Sequence, residues 1–122
     1  KSLLGPHGAV FARRVFGPAE QAALGLPLAE EEGTARRTAH TVASAAADFA
    51  AKEAFLKAAG TGLREPFSLC EIEAVRLPGG APAYHFSGRS AQWVDAHHLR
   101  AHLSLSHEDG MAMAYCILET ET

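Results

Sequence analysis

A long alanine-rich segment that ends at Ala59 constrains the fold of this chain more than any other feature. Alanine has the highest helix propensity, and Gly60 follows directly, where a left-handed glycine commonly ends a helix. Thr38 and Thr41 each carry a hydroxyl group that suits the N-cap position. We therefore predict one long helix that begins near Thr38 or Thr41 and ends at Ala59.

The charged residues of this helix indicate more than a structural role. Helical spacing aligns five residues on one stripe: Val42, Ala46, Phe49, Glu53 and Leu56. Glu53 is the single charge on that stripe, so we expect it at the edge of the core, where a carboxylate needs a lysine or a metal ion. Lys57 lies one turn later on the same face. A solvated surface ion pair is the alternative, and Asp48 and Lys52 have the same spacing.

Shorter helices are predicted before the long one. The segment from Ala9 to Val15 has helical periodicity. A second short helix opens at Pro18, where the missing N–H group costs nothing, and ends before Gly25. The acidic segment 26–37, interrupted by proline and glycine, is expected to be a mobile connection.

Alternation of period two predicts strands in the second half of the chain. The predicted strands are four: 68–77, 81–86, 99–107 and 111–119. The apolar residues of the first strand alternate with Glu71 and Glu73, which therefore belong to its opposite face. A short helix at 90–98 separates two hairpins. Because helices precede strands without βαβ alternation, we predict an α+β fold with an antiparallel sheet packed against one long helix.

Length and composition narrow the class of protein. The chain has 122 residues, which suits a single domain over residues 1–122. Its formal net charge is −3, and no basic block is interleaved with aromatic residues, so we expect no nucleic-acid partner. It has no bilayer-spanning apolar run and no signal peptide, so we expect a soluble, cytoplasmic protein without a membrane partner. Cys70 and Cys116 lack metal or disulfide spacing and fit a reducing compartment.

Other polar residues form less specific patterns. His107 ends an alternating strand just before a turn, a position from which a side chain can reach a ligand; a surface histidine is the alternative. No spacing groups the histidines into a zinc site, and Ser104 and Ser106 lack the GxSxG motif. Arg13 and Arg14 form a basic pair that either meets an acidic partner or is simply solvated.

Three blocks of the sequence, taken together, resemble one enzyme family. They are FAAKEAFLKAAGTG at 49–62, GAP at 80–82 and HLSLSH at 102–107, and FARRVFGPAE at 11–20 extends the similarity upstream. Their order and separation are similar to those of the holo-acyl carrier protein synthases, which are 4′-phosphopantetheinyl transferases. The resemblance covers nearly the whole chain.

This resemblance implies an enzyme that transfers 4′-phosphopantetheine from coenzyme A to a serine of apo-acyl carrier protein, releasing 3′,5′-ADP, with Mg²⁺, in support of fatty acid biosynthesis. It implies that Glu53 is a metal ligand and that Lys57 meets the phosphates and the departing charge. The implied coenzyme A contacts are Lys57, Gly60, Pro82, Ser106 and His107. Arg13 and Arg14 are the implied docking residues for the acidic carrier protein. The family's usual assembly implies a homotrimer with active sites between subunits.

Two departures from the family pattern leave a second hypothesis open. The family begins with a glycine-rich strand whose aspartate is a second metal ligand, and a sequence that begins at Lys1 is expected to lack both. Either this sequence is a fragment of a longer chain, or metal binding is impaired. Asp48 stands where family members often have arginine. It cannot replace the aspartate, because five helical residues place it about 140° from Glu53 around the axis. The second hypothesis is a non-catalytic module that binds coenzyme A or a carrier protein.

Overall fold

The fold is organised around the predicted long helix. The computed structural model describes residues 8–25 and 35–121, with side chains for 10–25 and 40–121. The helices are α1 (Gly8–Val15), α2 (Pro18–Leu24), α3 (Ala35–Ala59) and α4 (Gly88–Ala96). The strands are β1 (Ile72–Arg76), β2 (Pro82–Phe86), β3 (Leu99–Glu108) and β4 (Met111–Thr120). No helix in these two ranges is long and apolar enough to cross a membrane.

Both predicted hairpins are present, and they confirm the α+β class. β1 pairs antiparallel with β2, and β3 pairs antiparallel with β4, each pair forming a two-stranded sheet. Along β3 and β4 the half-buried and exposed residues alternate, because one face packs on α3. The hairpins therefore lie against α3 as two separate sheets, where the sequence predicted one.

The end of α3 was predicted correctly, but its beginning was not. Gly60 has a φ of 80° and its N–H group donates to the carbonyl oxygens of Leu56 and Lys57, as expected for a helix terminator. The helix starts at Ala35, so Thr38 and Thr41 lie inside it and do not cap it. A threonine is tolerated in a helix interior, so its presence does not by itself mark a boundary. The predicted mobile connection lies outside the described residues over 26–34.

The core consists of two clusters joined by α3. The first, between α1, α2 and the middle of α3, contains Ala12, Val15, Phe16, Leu24 and Ala45. The second, between the C-terminal half of α3, β1 and α4, contains Phe55, Leu56, Phe67, Ile72 and Val94. Aromatic rings dominate the second cluster, where Phe55 contacts Phe67, Tyr84 and Phe86.

The predicted stripe on α3 is wrong in part. Val42, Ala46 and Glu53 are exposed, whereas Leu56 is buried. The buried side of the helix instead carries the polar residues Thr41, Asp48 and Lys52 with Ala45, Ala47, Ala51 and Phe55. Alanine occupies buried and exposed positions alike, so the hydrophobic pattern of this segment does not define its orientation.

Lys52 is the central buried charge of the fold. Its side chain is fully buried, and its ammonium group donates to Glu20 Oε1 at 2.5 Å, to Ile72 O at 2.6 Å and to Leu69 O at 3.0 Å. All three ammonium donors are thereby used. Because Glu20 belongs to α2 and Ile72 to β1, one side chain fastens α3 to both elements. The spacing of Asp48 and Lys52 suits a surface ion pair, but in the fold Lys52 pairs with the buried Glu20 instead.

The prediction that Glu73 faces away from the buried side of β1 is also wrong. Ile72, Glu73 and Ala74 are all buried, because α2 covers the face of the strand that alternation assigned to the glutamates. Glu73 Oε2 accepts the N–H of Glu20 at 3.0 Å, in the first turn of α2. Gly17, just before that helix, has no room for a Cβ atom, which would overlap the Glu73 carboxylate.

Asp48 lies beside this network and is sensitive to its charges. Burial, followed by repulsion from Glu20 and a smaller repulsion from Glu73, raises the pKa of the Asp48 carboxyl to about 7, although Lys52 and Arg76 oppose the shift. In the unfolded chain an aspartate releases its proton near pH 4. Between these two pH values the folded state holds more protons, so this group's contribution to stability falls as pH rises from about 4 to about 7.

We predict that Asp48→Asn removes this pH dependence. The melting temperature of the variant, relative to that of the unchanged protein, is expected to be higher at pH 8 than at pH 5, as measured by thermal denaturation. Asp95→Asn, at an exposed position on α4, is the matched control and is expected to show no such difference. A relative melting temperature of Asp48→Asn that is equal at the two pH values would contradict the assignment.

Candidate functional site

A cleft between α3 and β4 forms the candidate site. Its volume is about 410 Å³, within the usual range for a small-molecule site. The lining residues are Ala50, Glu53, Ala54, Lys57, Ala58, Ala114, Tyr115 and Cys116. Glu53 and Lys57 are the charged members, and both are exposed to solvent. The cleft therefore presents one carboxylate and one ammonium group side by side.

The geometry of α3 explains why these two charges share the cleft. Residues four apart on a helix are separated by about 40° around the axis, so Glu53 and Lys57 project from one side. That shared face was predicted from their spacing and is confirmed. Lys52 immediately precedes Glu53, so the two side chains are about 100° apart around the helix axis. Lys52 therefore lies on the buried side of α3. Neighbours in sequence thus belong to different faces of the helix, one buried and one exposed.

Small side chains form the floor of the cleft. Ala50, Ala54 and Ala58 follow one another at intervals of four residues along α3, and Ala114 faces them from β4. Because these side chains are only methyl groups, the floor lets a ligand approach the helix closely. The alanine content of this segment predicted only a helix, although the spacing of four between these alanines also marks one face of it.

A hydrogen bond between β2 and α3 lies next to the cleft residue Cys116. The Tyr84 hydroxyl donates to the carbonyl oxygen of Ala51 at 2.6 Å. Cys116, which lines the cleft from β4, lies against the same hydroxyl, and burial raises the pKa of the Tyr84 hydroxyl and of the Cys116 thiol. Cys116 is thus a neutral packing residue there, and Tyr84 holds β2 against the turn of α3 that precedes Glu53.

Comparison with known proteins places this architecture in a family. The family model of the 4′-phosphopantetheinyl transferase superfamily matches residues 1–116. The chain belongs to the 4′-phosphopantetheinyl transferase superfamily. The holo-acyl-carrier-protein synthase of Bordetella pertussis is 40% identical over 117 residues, covering 95% of this chain and 72% of the relative.

Solved structures of the same superfamily have the same fold. The holo-acyl-carrier-protein synthase of Neisseria meningitidis is 28% identical, with a TM-score of 0.69, over 93% of this chain and 82% of that one. A complex of the Chronobacterium ammoniagenes protein with coenzyme A is also 28% identical, with a TM-score of 0.69, over 98% of this chain and 87% of that one.

The other predicted coenzyme A contacts of this transferase-family chain lie outside the cleft lining. His107 and Ala112 pair in register, two residues from the pair formed by Leu105 and Ala114. His107 is therefore on the face of the hairpin that carries the cleft residue Ala114, about 7 Å further along the strand. Ser106 pairs with Met113 and is exposed on the opposite face.

Gly60 and Pro82 are placed differently from each other. Gly60 ends α3 three residues after Lys57, so it lies at the end of the helix that bears the cleft. Pro82 opens β2 opposite Arg76 at the turn end of the first hairpin. Their roles, like those of Ser106 and His107, stay predictions.

The basic pair of α1 lies near the same helix. Arg13 and Arg14 are exposed in the last turn of α1, whose buried side packs with Phe49. Phe49 precedes Glu53 by one helical turn, so the core cluster that α1 shares contacts α3 one turn before the cleft residue Glu53. The docking role of the two arginines stays a prediction.

Proposed function

We propose that this protein transfers 4′-phosphopantetheine from coenzyme A to a serine of apo-acyl carrier protein in the cleft between α3 and β4. The observation that carries this proposal is that Glu53 and Lys57 together line a solvent-open cleft, on a chain that belongs to the transferase superfamily. A relative of 40% identity, from Bordetella pertussis, bears the name holo-acyl-carrier-protein synthase.

Coenzyme A is the donor, and the cleft suits its polar part. The Chronobacterium ammoniagenes relative was solved as a complex with coenzyme A, and the Bacillus anthracis relative, also 28% identical, with coenzyme A as 3′,5′-ADP. In this chain the Lys57 ammonium group supplies a positive charge for phosphate oxygens. The alanine floor leaves space for the pyrophosphate to lie against α3.

Magnesium fits the donor set of this cleft. Mg²⁺ is usually held by one or two carboxylates together with substrate phosphates and waters, and not by a complete protein cage. Across residues 8–25 and 35–121 no three acidic, histidine or cysteine side chains form such a cage, whereas Glu53 places a single exposed carboxylate in the cleft. Glu53 would hold the ion, which neutralises pyrophosphate charge when bound.

The transfer is a phosphoryl-type displacement. The serine hydroxyl of the carrier protein loses its proton to solvent as its oxygen forms a bond to the phosphorus that bears the pantetheine group. The bond from that phosphorus to the bridging oxygen breaks, and 3′,5′-ADP leaves with the electron pair. Such reactions depend mainly on positioning and on neutralising charge. Lys57 contributes by holding the phosphates and by stabilising the charge that develops on the departing ADP.

The carrier protein is proposed to dock on α1. Arg13 and Arg14 point into solvent from its last turn, and an acidic carrier protein would be guided towards them by opposite charge. The core cluster to which α1 contributes also contacts Phe49, one helical turn before Glu53, and this supports placing the docked carrier protein on that side of α3. The free cysteines Cys70 and Cys116 fit action in the reducing cytoplasm, where we propose that this reaction occurs.

We propose a homotrimer whose contacts cover the outer face of the second hairpin. Four large apolar side chains on β4 are exposed: Met111, Met113, Tyr115 and Ile117. Contiguous apolar surface of this kind commonly marks a protein interface. Tyr115 also lines the cleft, so a neighbouring subunit on this face would border the site. A complete active site would then require two subunits.

We expect Glu53→Gln to abolish most magnesium-dependent transfer. The amide keeps the shape of the side chain but loses the charge that would hold the ion, so the rate should fall by at least about 100-fold. Release of 3′,5′-ADP at saturating coenzyme A and Mg²⁺ measures it. Glu65→Gln changes an exposed carboxylate outside the cleft lining and should leave the rate unchanged. An active Glu53→Gln enzyme would disprove the role given to this carboxylate.

We expect Ala54→Leu to block coenzyme A by filling the cleft. Three added carbon atoms would occupy the space along the helix, so the dissociation constant for coenzyme A should rise at least about 10-fold. Titration calorimetry measures this directly. Ala46→Leu places the same side chain at an exposed position two turns earlier and is the matched control. Equal affinities for the two variants would show that coenzyme A binds elsewhere.

A further inference from the structure

Lys52 is adjacent to Glu53 in sequence, but no substrate that enters the cleft can touch it. We infer that Lys52, through its buried ion pair with Glu20, is a positioning residue that sets the rotation of α3 and so directs Glu53 and Lys57 into the cleft. This inference rests on the proposed function, because positioning is judged by its effect on that reaction.

The contacts of Lys52 fix the helix from three directions. The acceptors of its ammonium group come from α2, from the turn at Leu69 and from the first residue of β1. Rotation of α3 about its axis would lengthen at least one of these hydrogen bonds, because they belong to separate elements. A single apolar contact could slide, whereas a buried ammonium group must keep its acceptors.

Glu20 is itself held in place, so it forms a rigid partner. Its Oε1 accepts the N–H of Gly17 at 3.1 Å, and its Oε2 accepts the N–H of Ala74 at 2.7 Å. Its own N–H group donates to Glu73. Both carboxylate oxygens are therefore bonded within the fold, to the start of α2 and to the middle of β1. The position of the Glu20 carboxylate, which binds Lys52, therefore does not depend on surface side chains.

Small rotations of α3 would have large effects in the cleft. Side-chain ends lie about 5–6 Å from the axis of a helix, so a rotation of about 10° moves them by about 1 Å. A misplacement of that size is enough to lower an enzymatic rate by about 100-fold. Glu53 and Lys57 would move together, because both belong to the rotated side. The rate and the affinity for coenzyme A should therefore change together.

The same pair also connects the proposed docking helix to the catalytic one. Phe16, which follows α1, lies beneath the Lys52 ammonium group, 5.5 Å from it to the ring centre. Phe16 is buried and belongs to the core cluster shared by α1 and α2. Lys52 thus contacts the core cluster beneath α1, which carries Arg13 and Arg14, and lies on the same helix as the cleft residue Glu53.

Lys52→Met tests this inference together with the double variant Lys52→Met, Glu20→Gln. The single variant leaves the Glu20 carboxylate buried without its cation. The double variant removes both charges while keeping similar side-chain volumes, and such replacements of buried pairs commonly preserve stability. Arg89→Met, at an exposed position on α4, is the control for loss of a basic residue. The full-length chain is used throughout, at temperatures where circular dichroism shows each variant to be folded.

Two measurements are made on each protein: release of 3′,5′-ADP at saturating substrates, and the coenzyme A dissociation constant by calorimetry. We expect the double variant to be folded, yet to have a rate at least about 10-fold lower and a dissociation constant at least about 10-fold higher than the unchanged protein. Arg89→Met should match the unchanged protein in both. A variant that is only partly unfolded would bind fewer equivalents of coenzyme A with an unchanged dissociation constant.

A folded double variant with an unchanged rate and dissociation constant would overturn the inference. Failure of the double variant to fold would also overturn it, since the pair would then support the fold itself. Absence of turnover by the unchanged protein is a separate result, because it would refute the proposed function and not the alignment of α3. Coenzyme A affinity still reports on Lys57 in that case.

Discussion

The ion pair between Lys52 and Glu20 is the interaction that fixes the relative orientation of α2, α3 and β1. It lies fully buried where α2, α3 and β1 meet. Glu20 belongs to α2 and Lys52 to α3, and both form hydrogen bonds with the backbone of β1. Breaking such a pair by removing one partner commonly costs about 3–5 kcal/mol, a large part of the stability of a small domain. The two core clusters on either side of it are joined by α3 and depend on a single orientation of that helix.

One turn of α3 carries a buried charge and an exposed charge on different sides of the helix. Lys52 faces inward to a set of fixed acceptors, and Glu53 faces outward to a cleft with a floor of alanines. The buried pair is electrically satisfied within the fold, so it offers nothing to a substrate. The exposed pair of Glu53 and Lys57 has the opposite property, because its charges are open to solvent and, in the proposed function, to phosphate and a metal ion. Burial divides these roles between residues that are adjacent in sequence.

The sequence predicted those parts of the structure that depend on local spacing. Residues four apart on a helix must share a face, so the common orientation of Glu53 and Lys57 followed without knowledge of the tertiary structure. The end of α3 at Gly60 and the two hairpins were predicted from local turn and strand patterns. The family resemblance, which rested on whole motifs, supplied the reaction and its substrates, and the family model confirms the membership.

The buried charges could not be predicted in this way. Lys52 is buried because Glu20, 32 residues earlier, and two backbone carbonyl groups surround it. Glu73 is buried because α2 covers its side of β1, so alternation along the strand gives the wrong environment. Both errors have one cause: a local pattern does not contain the partner that makes burial of a charge possible. For this reason the spacing of Asp48 and Lys52, which is typical of a surface pair, indicated the wrong environment for Lys52.

The most direct test of the proposed function is the intact mass of purified apo-acyl carrier protein after incubation with this protein, coenzyme A and Mg²⁺. The account predicts that the carrier protein gains the mass of one phosphopantetheine group and that EDTA prevents this gain. An unchanged mass, under conditions in which a known transferase modifies the same carrier protein, would contradict it. Binding of coenzyme A without any transfer would then favour a non-catalytic module.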